Sequence, residues 1–88
     1  MPWDVRVAED AQRSLARLPQ KDRRRILRSL SQLEADPYQG NVKPLKGNAW
    51  KGFHRKRSGD YRIVFFLHQD EQIIDVPAIL RRSEKTYR

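Results

Sequence analysis

The stretch Phe53-His54-Arg55-Lys56-Arg57-Ser58-Gly59-Asp60-Tyr61-Arg62-Ile63-Val64-Phe65-Phe66-Leu67 decides the fold. A basic, alternating run breaks at Ser58-Gly59 and resumes as an aromatic and β-branched run, the pattern of a β-hairpin. With Ser58 and Gly59 as the two turn residues, pairing sets Arg57 opposite Asp60, Lys56 opposite Tyr61 and Arg55 opposite Arg62. It further sets His54 opposite Ile63 and Phe53 opposite Val64. Directly opposed residues share a sheet face. Arg55 and Arg62 are therefore expected side by side on one face, while Ile63 and Phe65 turn toward a core. Like charges placed opposite each other destabilise a sheet. A bound polyanion explains such a pair; the plainer alternative is that both guanidinium groups splay into water.

Upstream of the hairpin, Trp3-Asp4-Val5-Arg6-Val7 alternates apolar and polar and predicts a first strand. Glu9-Asp10 supplies caps for a first helix, whose apolar positions are Ala11, Leu15 and Leu18 and which Pro19 closes. A second helix is expected from Gln20 to Ala35, stopped by Asp36-Pro37. Ile26, Leu27, Leu30 and Leu33 form its apolar stripe, and Arg23, Arg24, Arg25 and Arg28 crowd the remaining surface as a solvated face. The two helices read as an antiparallel hairpin. From Pro37 to Lys51 the pattern dissolves into Pro, Gly, Asn and scattered lysines, a long loop of the kind that is often functional; Leu45 is expected to plug the core edge.

Downstream, His68 to Glu71 reads as a polar turn and Gln72 to Leu80 as a further strand. Pro77 within that strand cannot donate to a ladder, so a strand end, a bulge or an unpaired side is expected there. The fold class is α+β: an N-terminal strand, a two-helix hairpin, then a three-stranded antiparallel meander, with the helices packed on one sheet face. The other face is left for Arg55 and Arg62.

The sequence has 88 residues and a formal net charge of +8. That is the size of a single domain, residues 1–88, with one modest core. It contains no cysteine, which excludes a disulfide framework and a Cys-based zinc site. With two histidines and no clustered carboxylates, no metal or other cofactor is expected. No apolar run approaches the roughly 20 residues of a membrane span, and the start has no signal layout. A cytoplasmic protein with no membrane partner is expected. The cationic excess predicts attraction to nucleic acid or to an acidic protein.

The helical hairpin with its Asp36-Pro37 stop, the Leu45-Lys46-Gly47 step, the Gly59-Asp60-Tyr61-Arg62-Ile63-Val64 strand and the ending Ile79-Leu80-Arg81-Arg82-Ser83-Glu84-Lys85-Thr86-Tyr87 together resemble the RelE/ParE superfamily of toxin-antitoxin toxins. The motifs run in the family's order along nearly the whole chain. The resemblance implies a type II toxin that is held by a cognate acidic antitoxin, assembling with it as a hetero-oligomer. In the RelE-like branch it implies a ribosome-dependent endoribonuclease, with the ribosome and messenger RNA as partners. In the ParE-like branch the implied target is DNA gyrase. A catalytically weakened, antitoxin-bound member is the third possibility.

Position by position, the resemblance assigns catalytic roles to Arg62, Arg55, Tyr87 and either Arg82 or Arg81. Lys46, Lys51, His54, Lys56 and Arg57 are the basic residues around them expected to contact RNA. Guanidinium forks match phosphate oxygens bidentately, which suits Arg55 and Arg62 to the phosphorane formed when a 2′-hydroxyl attacks phosphorus. Arg82 or Arg81 would neutralise the leaving 5′-oxygen, and Tyr87 would stack on a base or orient the 2′-hydroxyl. The chain departs from the family pattern at Phe53, where the best-known member has a second basic residue proposed as general base. Lys51, His54 and Tyr87 are the candidates left for that role. The plainer readings are that Arg62 pairs with Asp60 or Asp75, that His54 is a half-buried polar residue, and that Tyr87 packs on the sheet.

Overall fold

The computed structural model describes residues 2–81. Strand β1 (Asp4–Val7) leads into helices α1 (Glu9–Ala16) and α2 (Gln20–Ala35). Four strands follow: β2 (Val42–Pro44), β3 (Phe53–Ser58), β4 (Tyr61–His68) and β5 (Ile73–Arg81), with a 3-10 turn at Asn48–Trp50 between β2 and β3. The sheet order is β1-β5-β4-β3-β2, with β1 parallel to β5 and every other pair antiparallel. The helical hairpin thus carries the chain across one face from the β1 edge to the β2 edge, and the meander walks back until β5 meets β1.

Alternation sorts the sheet into two faces. Tyr61, Ile63, Phe65 and Leu67 of β4 and Ile74, Val76 and Ile79 of β5 pack against Ala11, Ile26, Leu30 and Leu33 of the helices. Burying each of these large aliphatic or aromatic side chains contributes roughly 1.5–3 kcal/mol. The stripe on α2 is Ile26, Ser29, Leu30 and Leu33, the i, i+3, i+4, i+7 pattern. Leu27, expected in that stripe, is 47% exposed because it lies one residue past the core-facing row. Ser29 takes the buried position instead and donates to Ser58 Oγ at 2.8 Å, tying α2 to the end of β3.

Several local expectations are corrected. The cap of α1 is Ala8, with no side-chain cap bond; Glu9 and Asp10 lie inside the first turn and pair with Arg13. The stretch expected as an unbroken loop contains β2, which pairs with β3, and Leu45 is half-buried with its amide donating to the Phe53 carbonyl. Pro77 sits where the β4–β5 register breaks between Val64 and Phe66, so the missing N–H falls at a bulge.

The hairpin itself is shifted. Gly59 and Asp60 form the turn and Ser58 pairs with Tyr61. Positive φ at Gly59 (60°) and not at Asp60 is the requirement of a type II′ turn, in which glycine leads. Ser58 belongs to the strand because its hydroxyl is committed to the buried contact with Ser29. Arg57 therefore stands opposite Arg62, Arg55 opposite Val64, His54 opposite Phe65 and Phe53 opposite Phe66.

Candidate nucleic-acid interface

The face away from the helices is built by the odd positions of β3 and the even positions of β4. With the shifted register, Arg57 and Arg62 are directly opposed, and Arg55 is the diagonal neighbour of Arg62. On the other side of β3, Lys43 of β2 is directly opposed to Arg55. Two like-charge pairs thus lie on adjacent strands of one face, and directly opposed side chains sit roughly 4.5–5.5 Å apart at Cβ. Arg57 is exposed, whereas Arg55 and Arg62 are half-buried. A shallow concavity lined by Gly40, Asn41, Val42, Lys43, Arg55 and Arg57 lies along this strip. The register thus gathers four cationic residues on neighbouring positions of one sheet face, a distribution of charge that favours anions.

The remaining expected site residues separate. Lys46 and Lys51 are exposed in the segment joining β2 to β3. Lys56 and His54 point to the helix side. Lys56 is 4% exposed, donates to the Gln39 carbonyl at 3.1 Å, and burial lowers its pKa despite the nearby Asp36. His54 stacks on Phe65, ring centroids 5.7 Å apart, and its Nδ1 is buried with no hydrogen-bond partner among the described residues. Neither is brought to the arginine strip. Arg81, opposite Tyr61, shares the helix-side face at the end of β5 and is exposed. Arg82 and Tyr87 lie outside the described residues.

A second feature of the open face was not anticipated. Beyond Arg55 and Val64 the face turns aromatic: Trp50, Phe53, Phe66 and His68 follow one another with ring centroids 5.5, 5.1 and 4.9 Å apart. Gly52, with φ of 86°, lets the Phe66 ring close over the backbone. His68 Nε2 lies 2.6 Å from Asp75 Oδ2. Phe53, Phe66, His68 and Asp75 border a cleft of about 500 Å³ lined also by Arg6 and Pro77. Both His68 and Asp75 flank the same polar turn and occupy outward positions, which was the readable signal.

A model of the ParE toxin of type II toxin-antitoxin systems, parDE, matches residues 5–86. Toxin RelE of Mycobacterium tuberculosis is 33% identical over 86 residues, covering 93% of this chain and 84% of that protein. Among solved structures, a chain of the Mycobacterium tuberculosis RelBE2 toxin-antitoxin complex superposes with a TM-score of 0.81 at 23% identity, covering 93% of this chain and 100% of that one. A chain of the archaeal RelE-RelB complex from Pyrococcus horikoshii OT3 gives 0.80 at 25%, covering 97% and 100%. The same strand-helices-meander frame and a family match across nearly the whole sequence lead to one conclusion: the chain belongs to the RelE/ParE family of type II toxin-antitoxin toxins.

Proposed function

We propose that this toxin is a metal-independent endoribonuclease that cuts messenger RNA in the ribosomal A site and is neutralised by an acidic antitoxin. The observation that carries the proposal is the doubly opposed cation strip, Lys43 with Arg55 and Arg57 with Arg62, on the helix-free face. In the reaction the 2′-oxygen bonds to the adjacent phosphorus and gives up its proton to a general base, the role left to Lys51 or Tyr87 once His54 is on the helix side. The bond from phosphorus to the 5′-oxygen breaks, leaving a 2′,3′-cyclic phosphate and, once a proton is delivered, a 5′-hydroxyl. The extra negative charge of the pentavalent intermediate falls on oxygens that Arg62, Arg57 and Arg55 are arranged to fork. Arg57 joins the catalytic set because it, rather than Arg55, is the direct neighbour of Arg62. Arg82 is proposed to neutralise the leaving oxygen and Tyr87 to hold the nucleotide. His68, six residues along β4 from Arg62, is roughly 20 Å away and takes no part in this step.

The toxin-antitoxin complexes formed by the similar RelE chains support the second half of the proposal. An acidic segment laid over the strip would neutralise it and exclude RNA. The test is induction of the wild type, Arg57→Ala and Arg62→Ala in cells, with primer-extension mapping of a translated message. Codon-phased cuts in the wild type, lost in both variants, are expected. Growth arrest without cuts, accompanied by a DNA-damage response, would instead support gyrase as the target, the reading favoured by the ParE name of the matching family model.

A further inference from the structure

The geometry points to the His68–Asp75 cleft as a nucleobase subsite, in which an amino-bearing purine stacks on Phe66 and Phe53 and is held at its edge by Asp75 and His68. This inference rests on the reading of the open face as an RNA surface, and it extends that surface from phosphate to base.

Four observations carry it. The cleft is walled by flat rings whose edge-to-face contacts fix them: Phe53 sits 5.1 Å from Phe66, which is packed over the Cα of Gly52. Every base offers a π-face to such rings. The cleft also shares its face with the cation strip, because Phe53 is two residues from Arg55 on β3 and Phe66 four residues from Arg62 on β4. A strand held by its phosphates at Arg57 and Arg62 continues over Phe53 and Phe66 without leaving the face. The bulge at Pro77, next to this spot, opens the surface into a concavity of about 500 Å³, room for a flat heterocycle.

The fourth observation is the polar content. Asp75 has only acceptors, and one oxygen is taken by His68 Nε2 at 2.6 Å. Among the described residues the other oxygen takes no hydrogen bond, so it can accept from a ligand N–H, and guanine and adenine both present an exocyclic amine. Arg6, opposite Asp75 in the β1–β5 register, is already engaged by Asp4 at 3.0 Å. The Asp75 carboxylate beside it repels a phosphate, so the cleft is not a second phosphate seat. Its chemistry calls for a ring with donors, and the cationic strip beside it calls for the anionic chain to which such a ring is attached.

The experiment measures binding of the full chain to short 2′-O-methyl oligoribonucleotides, which cannot undergo 2′-oxygen attack, by fluorescence polarisation at several salt concentrations. One position at a time carries guanine, adenine, uracil or an abasic sugar. At one position the wild type is expected to bind the purines roughly tenfold tighter than the abasic sugar, with uracil between. His68→Asn should erase the preference of purine over uracil and leave the salt dependence unchanged. Phe66→Val should bring all bases toward the abasic level. Arg62→Ala should weaken every oligonucleotide alike, the abasic one included. Salt-dependent, Arg62-dependent binding with no base effect at any position would overturn the subsite and leave the RNA face standing. A base effect that survives both His68→Asn and Phe66→Val would also overturn it. Absence of salt-dependent binding would overturn the subsite together with the RNA reading beneath it.

Discussion

Replacing Gly52 by alanine tests how rigidly the aromatic end of the open face is built. Gly52 has φ of 86°, a conformation that costs an L-residue roughly 1–2 kcal/mol. The new Cβ would fall 2.6 Å from Phe66 Cε2 and 3.3 and 3.4 Å from two further ring atoms. That ring is wedged between Phe53 and His68, at 5.1 and 4.9 Å, so it cannot swing aside freely. Overpacking of this kind adds roughly 1–3 kcal/mol. The total, about 2–5 kcal/mol, is a large part of the roughly 5–15 kcal/mol that holds a domain folded. Gly59→Ala is the matched control. Its φ is also positive, 60°, but the obstacle is the guanidinium end of Arg25, which can move. Only the conformational cost, roughly 1–2 kcal/mol, should remain. Urea unfolding of both variants is the assay, together with Gly52→Ala combined with Phe66→Val, which removes the obstructing ring atoms. The double variant should recover about 1–3 kcal/mol relative to the sum of the single changes. If Gly52→Ala were no worse than Gly59→Ala, or the two changes simply added, the wedged-ring account would be wrong.

Three further outcomes follow from the same structure. Burial lowers the pKa of Lys56 from its ordinary 10.5, so between the lowered value and 10.5 the unfolded chain binds more protons and stability rises with pH. Lys56→Met should therefore abolish this rise of stability on approaching pH 10.5; a difference in urea midpoints from the wild type that is the same at neutral pH and near pH 10.5 would refute it. Ser29→Ala should cost roughly 1 kcal/mol in the same assay by removing the 2.8 Å bond to Ser58, and a neutral result would mean that Ser58 finds an equal partner. Arg57→Ala should relieve repulsion with Arg62 and raise the melting temperature by a few degrees while lowering RNA affinity, and calorimetry showing a lower melting temperature would exclude the repulsion.

Most of the frame was readable from periodicity. The bounds of α2, Gln20–Ala35, follow from the Pro19 and Asp36-Pro37 punctuation, and the inward set Ile63 and Phe65 follows from alternation. What was misread turned on single side chains with long-range partners. Ser58 reads as a turn residue by type, and only its bond to Ser29, distant in sequence, makes it a strand residue. The shift of register kept every residue on its expected face but exchanged Arg55 for Arg57 opposite Arg62. β2 was hidden because three residues ending in proline carry no periodic signal, although their pairing with β3 brings Lys43 to the strip. The His68–Asp75 pair went unread because neither residue matches a spacing motif, although both flank the polar turn that folds one against the other.

The parallel pairing of β1 with β5 has a consequence for how the molecule is made. Among the described strands the first in sequence, β1, pairs with β5, Val5 with Ile74 and Val7 with Val76, so this part of the sheet closes only after the helices and the meander between them have been made. Contacts of such sequence separation slow folding, because the intervening loop must be closed before they repay its entropy. During that interval the β3–β4 hairpin can already present its arginines, while β1 has no partner and one edge of β4 awaits β5. A nascent chain would thus offer its arginine-bearing face before it has a complete core, and during that time it would be open both to aggregation and to capture by an acidic partner.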